Sequence, residues 1–141
     1  MRSLKIEECS AEERKIVLDG LYNYNMEHVP ATNPDNWIPY EYIVRNENKE
    51  IIAGILSTLG YWNGLEIKIL WVKDEYRKSG IGSKLLSETE NNAKANGALV
   101  SFLDTFDFQA KEFYLKKGYK IFGQLDDFPI GHKRYYLQKR L

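Results

Sequence analysis

Residues 77–83 read Arg-Lys-Ser-Gly-Ile-Gly-Ser, so Arg77, Gly80 and Gly82 form an Arg-x-x-Gly-x-Gly pattern immediately before a helical periodicity. Glycines let the backbone approach a ligand closely, and first-turn helix amides point outward with the positive end of the helix dipole behind them. The loop is therefore suited to a pyrophosphate, with Arg77 and Lys78 as countercharge. Known nucleotide loops fit it poorly. A dinucleotide fingerprint needs a third glycine and an earlier β-α-β unit, and a P-loop needs Gly-Lys-Ser or Gly-Lys-Thr. Two glycines before a helix also make ordinary turns and caps, so the surrounding elements must decide.

Other reactive side chains are few. Cys9 is the single cysteine, so no intrachain disulfide, four-cysteine zinc site or Cys-x-x-Cys motif can be built, and a reducing cytoplasm is the expected setting. His28 and His132 are the only histidines, and no metal set is visible. His132 sits in the turn 126–134 beside Asp126 and Asp127, where solvated turn charge accounts for most such clusters. Lys plus Arg and Asp plus Glu number 20 each, which leaves no global field for nucleic acid or an anionic membrane. The amino terminus lacks a signal-peptide core, and the longest apolar run, near residues 51–56, is too short to span a bilayer.

The elements that must position the loop follow from periodicity. Residues 4–7 alternate apolar and polar, as in a strand, and Ser10 and Glu13 have capping-box spacing. A helix carrying Val17, Leu21 and Tyr24 should end near His28, because Pro30 cannot continue it, and 31–36 reads as loop. Residues 37–45 and 50–59 form a hairpin around the polar turn 46–49. Asn63-Gly64 signals a second two-residue turn into a strand over 65–72. Ile81, Leu85, Thr89 and Ala93 then recur every four residues in a long helix, with Gly97 at its C-terminal end. A strand over 99–105, a short helix over 109–117 and strands over 119–125 and 134–139 complete the chain. The order β-α-β-β-β-α-β-α-β-β implies an α/β (α+β) fold with a mixed, mostly antiparallel central sheet and helices on both faces. With 141 residues and no linker or repeat, a single domain over 1–141 is expected.

The strand–loop–helix from 69 to 83 resembles the GNAT (N-acetyltransferase) superfamily, whose signature is a hydrophobic strand followed by Arg/Gln-x-x-Gly-x-Gly/Ala. Trp71-Val72, Tyr76-Arg77 and Gly80-Ile81-Gly82 match it. The run from Ala110 to Tyr119 is similar to the family's Ala-x-x-Leu-Tyr-x-x-x-Gly-Phe segment. This resemblance implies acetyl transfer from acetyl-CoA to a primary amine by direct attack, through a tetrahedral intermediate. It puts the pyrophosphate on Lys78, Ser79, Gly80, Ile81, Gly82 and Ser83, near Arg77, and the pantetheine arm along Leu70, Trp71 and Val72. The amide of Leu70 or a neighbour would polarise the thioester carbonyl.

By the same resemblance Tyr114 protonates the departing thiolate, and the alternative is a core tyrosine among the chain's ten. Glu66 leads the candidates for base to the amine, with Asp104 and Asp107 behind it. Asp107 stands where many family members have a cofactor-contacting asparagine. A carboxylate there repels phosphate yet can accept from a pantetheine amide. Tyr22, Asn23, Tyr24 and Asn25, together with Trp37, Tyr40, Tyr61 and Trp62, offer walls for a flat or cationic amine, although strand aromatics usually pack in cores. The expected partner is a small-molecule or peptide amine, with no nucleic acid, no membrane and a possible homodimer. A non-catalytic acyl-CoA-binding module is the alternative.

Overall fold

The Ser10–Glu13 spacing closes a capping box: Ser10 Oγ accepts the Glu13 amide at 3.1 Å and Glu13 Oε1 accepts the Ser10 amide at 2.9 Å. Helix α1 (Ala11–His28) follows. A computed structural model describes residues 3–32 and 37–141, which fall into two compact units, Met1–Ala31 and Thr32–Leu141. Within the first unit the expected strand over 4–7 is absent. Residues 4–7 belong to no strand, and Leu4 and Ile6 are exposed. Alternation alone makes no strand, because an extended segment is stabilised only by a neighbour that takes its backbone hydrogen bonds. Of the expected loop 31–36, residues 33–36 lie outside the described residues. No helix among the described residues is long and apolar enough to cross a membrane.

The second unit is built on six strands, β1 (Ile38–Arg45), β2 (Ile51–Leu59), β3 (Gly64–Val72), β4 (Val100–Phe106), β5 (Lys120–Asp126) and β6 (Lys133–Arg140), in the spatial order β1-β2-β3-β4-β6-β5. Only the β3–β4 pairing is parallel. Helix α2 (Ile81–Ala95) makes the crossover between those two strands and α3 (Lys111–Lys116) follows β4. The β2–β3 hairpin turns earlier than the Asn63-Gly64 signal implies. The Asn63 amide donates to Gly60 O and the Gly60 amide to Gly64 O, so Tyr61 and Trp62 are the central residues. Asn63 takes the left-handed position (φ 65°), and Gly64 already belongs to β3.

Leu85, Leu86 and Ala93 of α2 share one core with Ile55 and Leu59 of β2, Leu65 and Ile67 of β3, Leu103 of β4 and Leu137 of β6. Each fully buried leucine or isoleucine of this core contributes about 2 kcal/mol. One charge enters this core. Glu90 of α2 accepts from Tyr119 Oη at 2.7 Å and from Lys139 Nζ at 2.8 Å, and Tyr119 Oη shares a 2.7 Å bond with Ser101. Burial raises the Tyr119 pKa, and hydrogen bonding to Glu90 and its negative charge act in the same direction. The carboxylate is tolerated because both its oxygens are hydrogen-bonded.

Candidate active site

β3 and β4 separate soon after they meet. Their parallel register covers only Gly64–Val100, Leu65–Ser101 and Glu66–Phe102. The cause lies on the other edge of β3. Leu56 pairs with Ile69 while Ser57 pairs with Ile67, so Lys68 is an extra residue in β3, and such a bulge bends its strand and sharpens the local twist. Beyond the bulge, the Lys73 amide donates to Ile52 O of β2. Successive amides alternate between the two edges of a strand, so those of Val72 and Leu70 face the edge that β4 has left.

Helix α3 sits beside this opening. A cavity of ≈ 140 Å³ is lined by Ile67, Lys68, Ile69, Leu70, Asp104, Thr105, Gln109, Ala110 and Tyr114. A cleft of ≈ 850 Å³ shares Leu70, Gln109, Ala110 and Tyr114 with it and runs on past Trp71 and Val72 to residues 76–83. Of the residues singled out in the sequence, Leu70, Trp71, Val72, Arg77, Lys78, Gly80, Ile81, Gly82, Ser83, Asp107 and Tyr114 all line this cleft.

The loop is shaped locally. A single 3-10 turn, Asp74–Tyr76, leads into Lys78 and Gly80 at positive φ (62° and 88°). Gly80 is the N-cap of α2 and makes no side-chain cap, so the first-turn amides have no capping oxygen. Arg77 is partly committed: Nε donates to Val72 O at 2.9 Å and Nη1 pairs with Asp74 Oδ1 at 2.8 Å. It ties the loop to the end of β3, whereas Lys78 has no ion-pair partner among the described residues. Ser79 does not line the cleft, because its hydroxyl donates to Tyr76 O.

The Tyr114 ring is buried between Phe113 and Tyr119, edge-on to both at 5.2 and 5.7 Å, and its side chain lines both cavities. Burial, and secondarily the charge of Asp104, push its hydroxyl up to about 12. The phenol therefore stays protonated at neutral pH and is available as a donor.

The carboxylates separate clearly. Glu66 pairs across to Thr58 and Phe102 and lines neither cavity. Asp107 is on the cleft wall, but both its oxygens serve the chain. Oδ1 pairs with His132 Nδ1 at 2.9 Å and Oδ2 accepts the Lys133 amide at 2.9 Å, which pins the end of β4 to the start of β6. Burial acts to raise the Asp107 pKa, but the His132 and Lys133 hydrogen bonds and the charge of His132 outweigh it and hold the carboxyl below its ordinary value. Asp104 lines the small cavity. Of the aromatic residues offered as pocket walls, Trp37, Tyr61 and Trp62 pack edge-on in a row and line neither cavity. Tyr40 is core, its hydroxyl accepting from Asn96 at 2.8 Å, and Tyr22, Asn23, Tyr24 and Asn25 lie on α1.

Thr105 and Gln109 were not singled out in the sequence. Gln109 Oε1 accepts the Phe106 amide at 2.8 Å and holds the β4–α3 turn against the cavity. The bulge at Lys68 was also missed. Its signal was the loss of alternation over Ile69, Leu70, Trp71 and Val72.

A crossover sheet with two splayed strands, a glycine-led helix start and a buried tyrosine between them matches the acetyltransferases. Residues 39–121 match the family described as Acetyltransferase (GNAT) domain. The chain is 33% identical over 96 residues to the Blasticidin-S acetyltransferase of Streptomyces morookaense, covering 67% of this chain and 70% of that one. The crystal structure of an acetyltransferase from Bacillus cereus is 36% identical, superposes with a TM-score of 0.90 and is covered to 98%, as is this chain. A Bacillus anthracis acetyltransferase solved in complex with acetyl coenzyme A shares the fold at 24% identity and a TM-score of 0.64, over 73% of this chain and 62% of that one. The chain belongs to the GNAT family and is an acetyltransferase, for which acetyl-CoA is the typical cosubstrate.

Proposed function

We propose that this enzyme transfers an acetyl group from acetyl-CoA to a primary amine of a small molecule by direct attack on the thioester. The observation that carries the reading is the single cleft joining the open edge of β3, the uncapped start of α2 and Tyr114. In it, the pyrophosphate lies against the amides of Ile81, Gly82 and Ser83 with Lys78 as countercharge, because an uncapped helix start supplies donors and a favourable dipole. The pantetheine arm, which carries amide groups, adds to the free edge of β3 as an extra strand would.

The Leu70 amide then serves as donor to the thioester oxygen, where negative charge accumulates as the carbonyl carbon becomes tetrahedral. When the C–S bond breaks, Tyr114 donates its proton to the sulfur. The family resemblance to an enzyme named for blasticidin S supports a small-molecule acceptor over a protein one.

Isothermal titration with acetyl-CoA tests the reading. A methyl at Gly82 meets Phe113 Cζ at 3.6 Å and Val72 Cγ2 at 3.7 Å, which are ordinary contacts, so Gly82→Ala is expected to bind like wild type. Gly82→Trp fills the cleft and is expected to weaken binding at least about 100-fold, or about 3 kcal/mol. A folded wild-type protein that does not bind acetyl-CoA refutes the proposal. Binding without turnover of any amine, and without any effect of Tyr114→Phe, points instead to a non-catalytic acyl-CoA-binding module.

A further inference from the structure

Asp104 has one oxygen occupied and one free. Arg134 of β6 donates from Nε and Nη2 to Asp104 Oδ1 at 3.0 and 2.7 Å, and no described residue donates to Oδ2. The arginine is held in turn by the rings of Phe106, Phe128 and Tyr136, each 5.3 to 5.4 Å from its guanidinium carbon. Both donors meet the one oxygen, which anchors the carboxylate at Oδ1 and leaves Oδ2 for another donor. Asp104 points to the side of β4 opposite Leu103, which is buried in the core. It is the one carboxylate lining the small cavity, where Leu70 and Tyr114 are fellow wall residues.

Resting on the acetyl-transfer reading above, we propose that Asp104 is the acceptor-side catalytic carboxylate, and that its Oδ2 accepts an N–H of the primary amine. The attacking nitrogen lone pair forms the C–N bond while the C=O electron pair moves onto oxygen, and the nitrogen gains positive charge. A carboxylate fixed beside that atom stabilises charge that exists only after attack begins. The tetrahedral carbon then expels sulfur, which takes a proton from Tyr114. The nitrogen gives one proton to Asp104 Oδ2, that proton passes to solvent, and Tyr114 regains one from solvent. One amine and one thioester become one amide and one thiol.

The charged and titratable groups facing Asp104 are Arg134 and the directly opposite Tyr136 from β6, Lys68 from β3 and Tyr114 from α3. Glu66, two residues before Lys68, lines neither cavity, so the role expected for it passes to Asp104.

The test uses the full chain, with acetyl-CoA and a panel of small-molecule primary amines. Asp104→Asn is expected to lower kcat/KM for the best acceptor at least about 30-fold while acetyl-CoA affinity by titration stays within about twofold. Asp104→Glu is expected to recover part of the rate. An Asp104→Asn enzyme that keeps wild-type kcat/KM, or loses acetyl-CoA affinity in parallel with rate, overturns the catalytic assignment. A wild type that binds acetyl-CoA yet acetylates nothing in the panel removes the acetyl-transfer reading, and this assignment with it.

Discussion

The two edges of β4 are finished in opposite ways. Toward β6 the strand pairs along its whole length, from Val100–Arg140 to Phe106–Arg134, whereas toward β3 the pairing stops after Glu66–Phe102. The closed edge holds the fold together: Leu103 and Leu137 face each other there, both buried in the core. The open edge leaves peptide groups of β3 without a strand partner, a cost no fold accepts for stability alone, since unpaired backbone groups must be met by water or a ligand. Substitutions on the closed edge should therefore cost stability, and those on the open edge should cost turnover.

The largest separation is expected from Leu137→Ala. The side chain is fully buried, so its loss should destabilise by about 3 kcal/mol in urea unfolding, while acetyl-CoA affinity of the folded fraction stays unchanged. A change below about 1 kcal/mol would mean that the closed edge does not carry the core as described. Tyr114→Phe on the open side is expected to reverse the pattern: kcat falls about 30-fold, with acetyl-CoA affinity kept and stability near wild type. Equal losses of rate and affinity would make Tyr114 a packing residue.

The smallest effect is on alkaline stability. Tyr114 in the folded protein is raised from 10.0 to about 12, so its contribution is fully present below pH 10 and is lost as pH rises toward 12. Tyr119 is raised too and adds to the same decline. Between pH 9 and pH 11 wild type should lose on the order of 1 kcal/mol more than Tyr114→Phe, read from urea midpoints at the two pH values. Parallel losses in the two proteins would mean that the Tyr114 phenol titrates as if exposed.

What the sequence revealed was local. The Ser10 capping box, the Gly80 and Gly82 loop and the four-residue periodicity of α2 each depend on neighbours within a turn or two of chain, and each stands where it was read. Residues 4–7 show the limit of that approach: alternation was present, but no strand formed. Site partners separated along the chain were harder still. Asp107 meets His132 and Asp104 meets Arg134 because β4 and β6 lie side by side, and nothing at either position announces the other. Glu66 and Asp104 are both strand carboxylates, and only the bulge at Lys68 and the end of the β3–β4 pairing decide which one borders the opening.

Helix α1 satisfies its first turn with its own side chains, and α2 does not, starting at a glycine with positive φ and no capping oxygen. With glycine in place of a capping side chain, the start gives up roughly a few tenths of a kcal/mol. In the free protein the amides of Ile81, Gly82 and Ser83 should therefore exchange with solvent deuterium sooner than the rest of α2. An anion seated there supplies the acceptors that the sequence omits. The last turn of helix to become ordered and the first part of the cosubstrate to be gripped are then a single event.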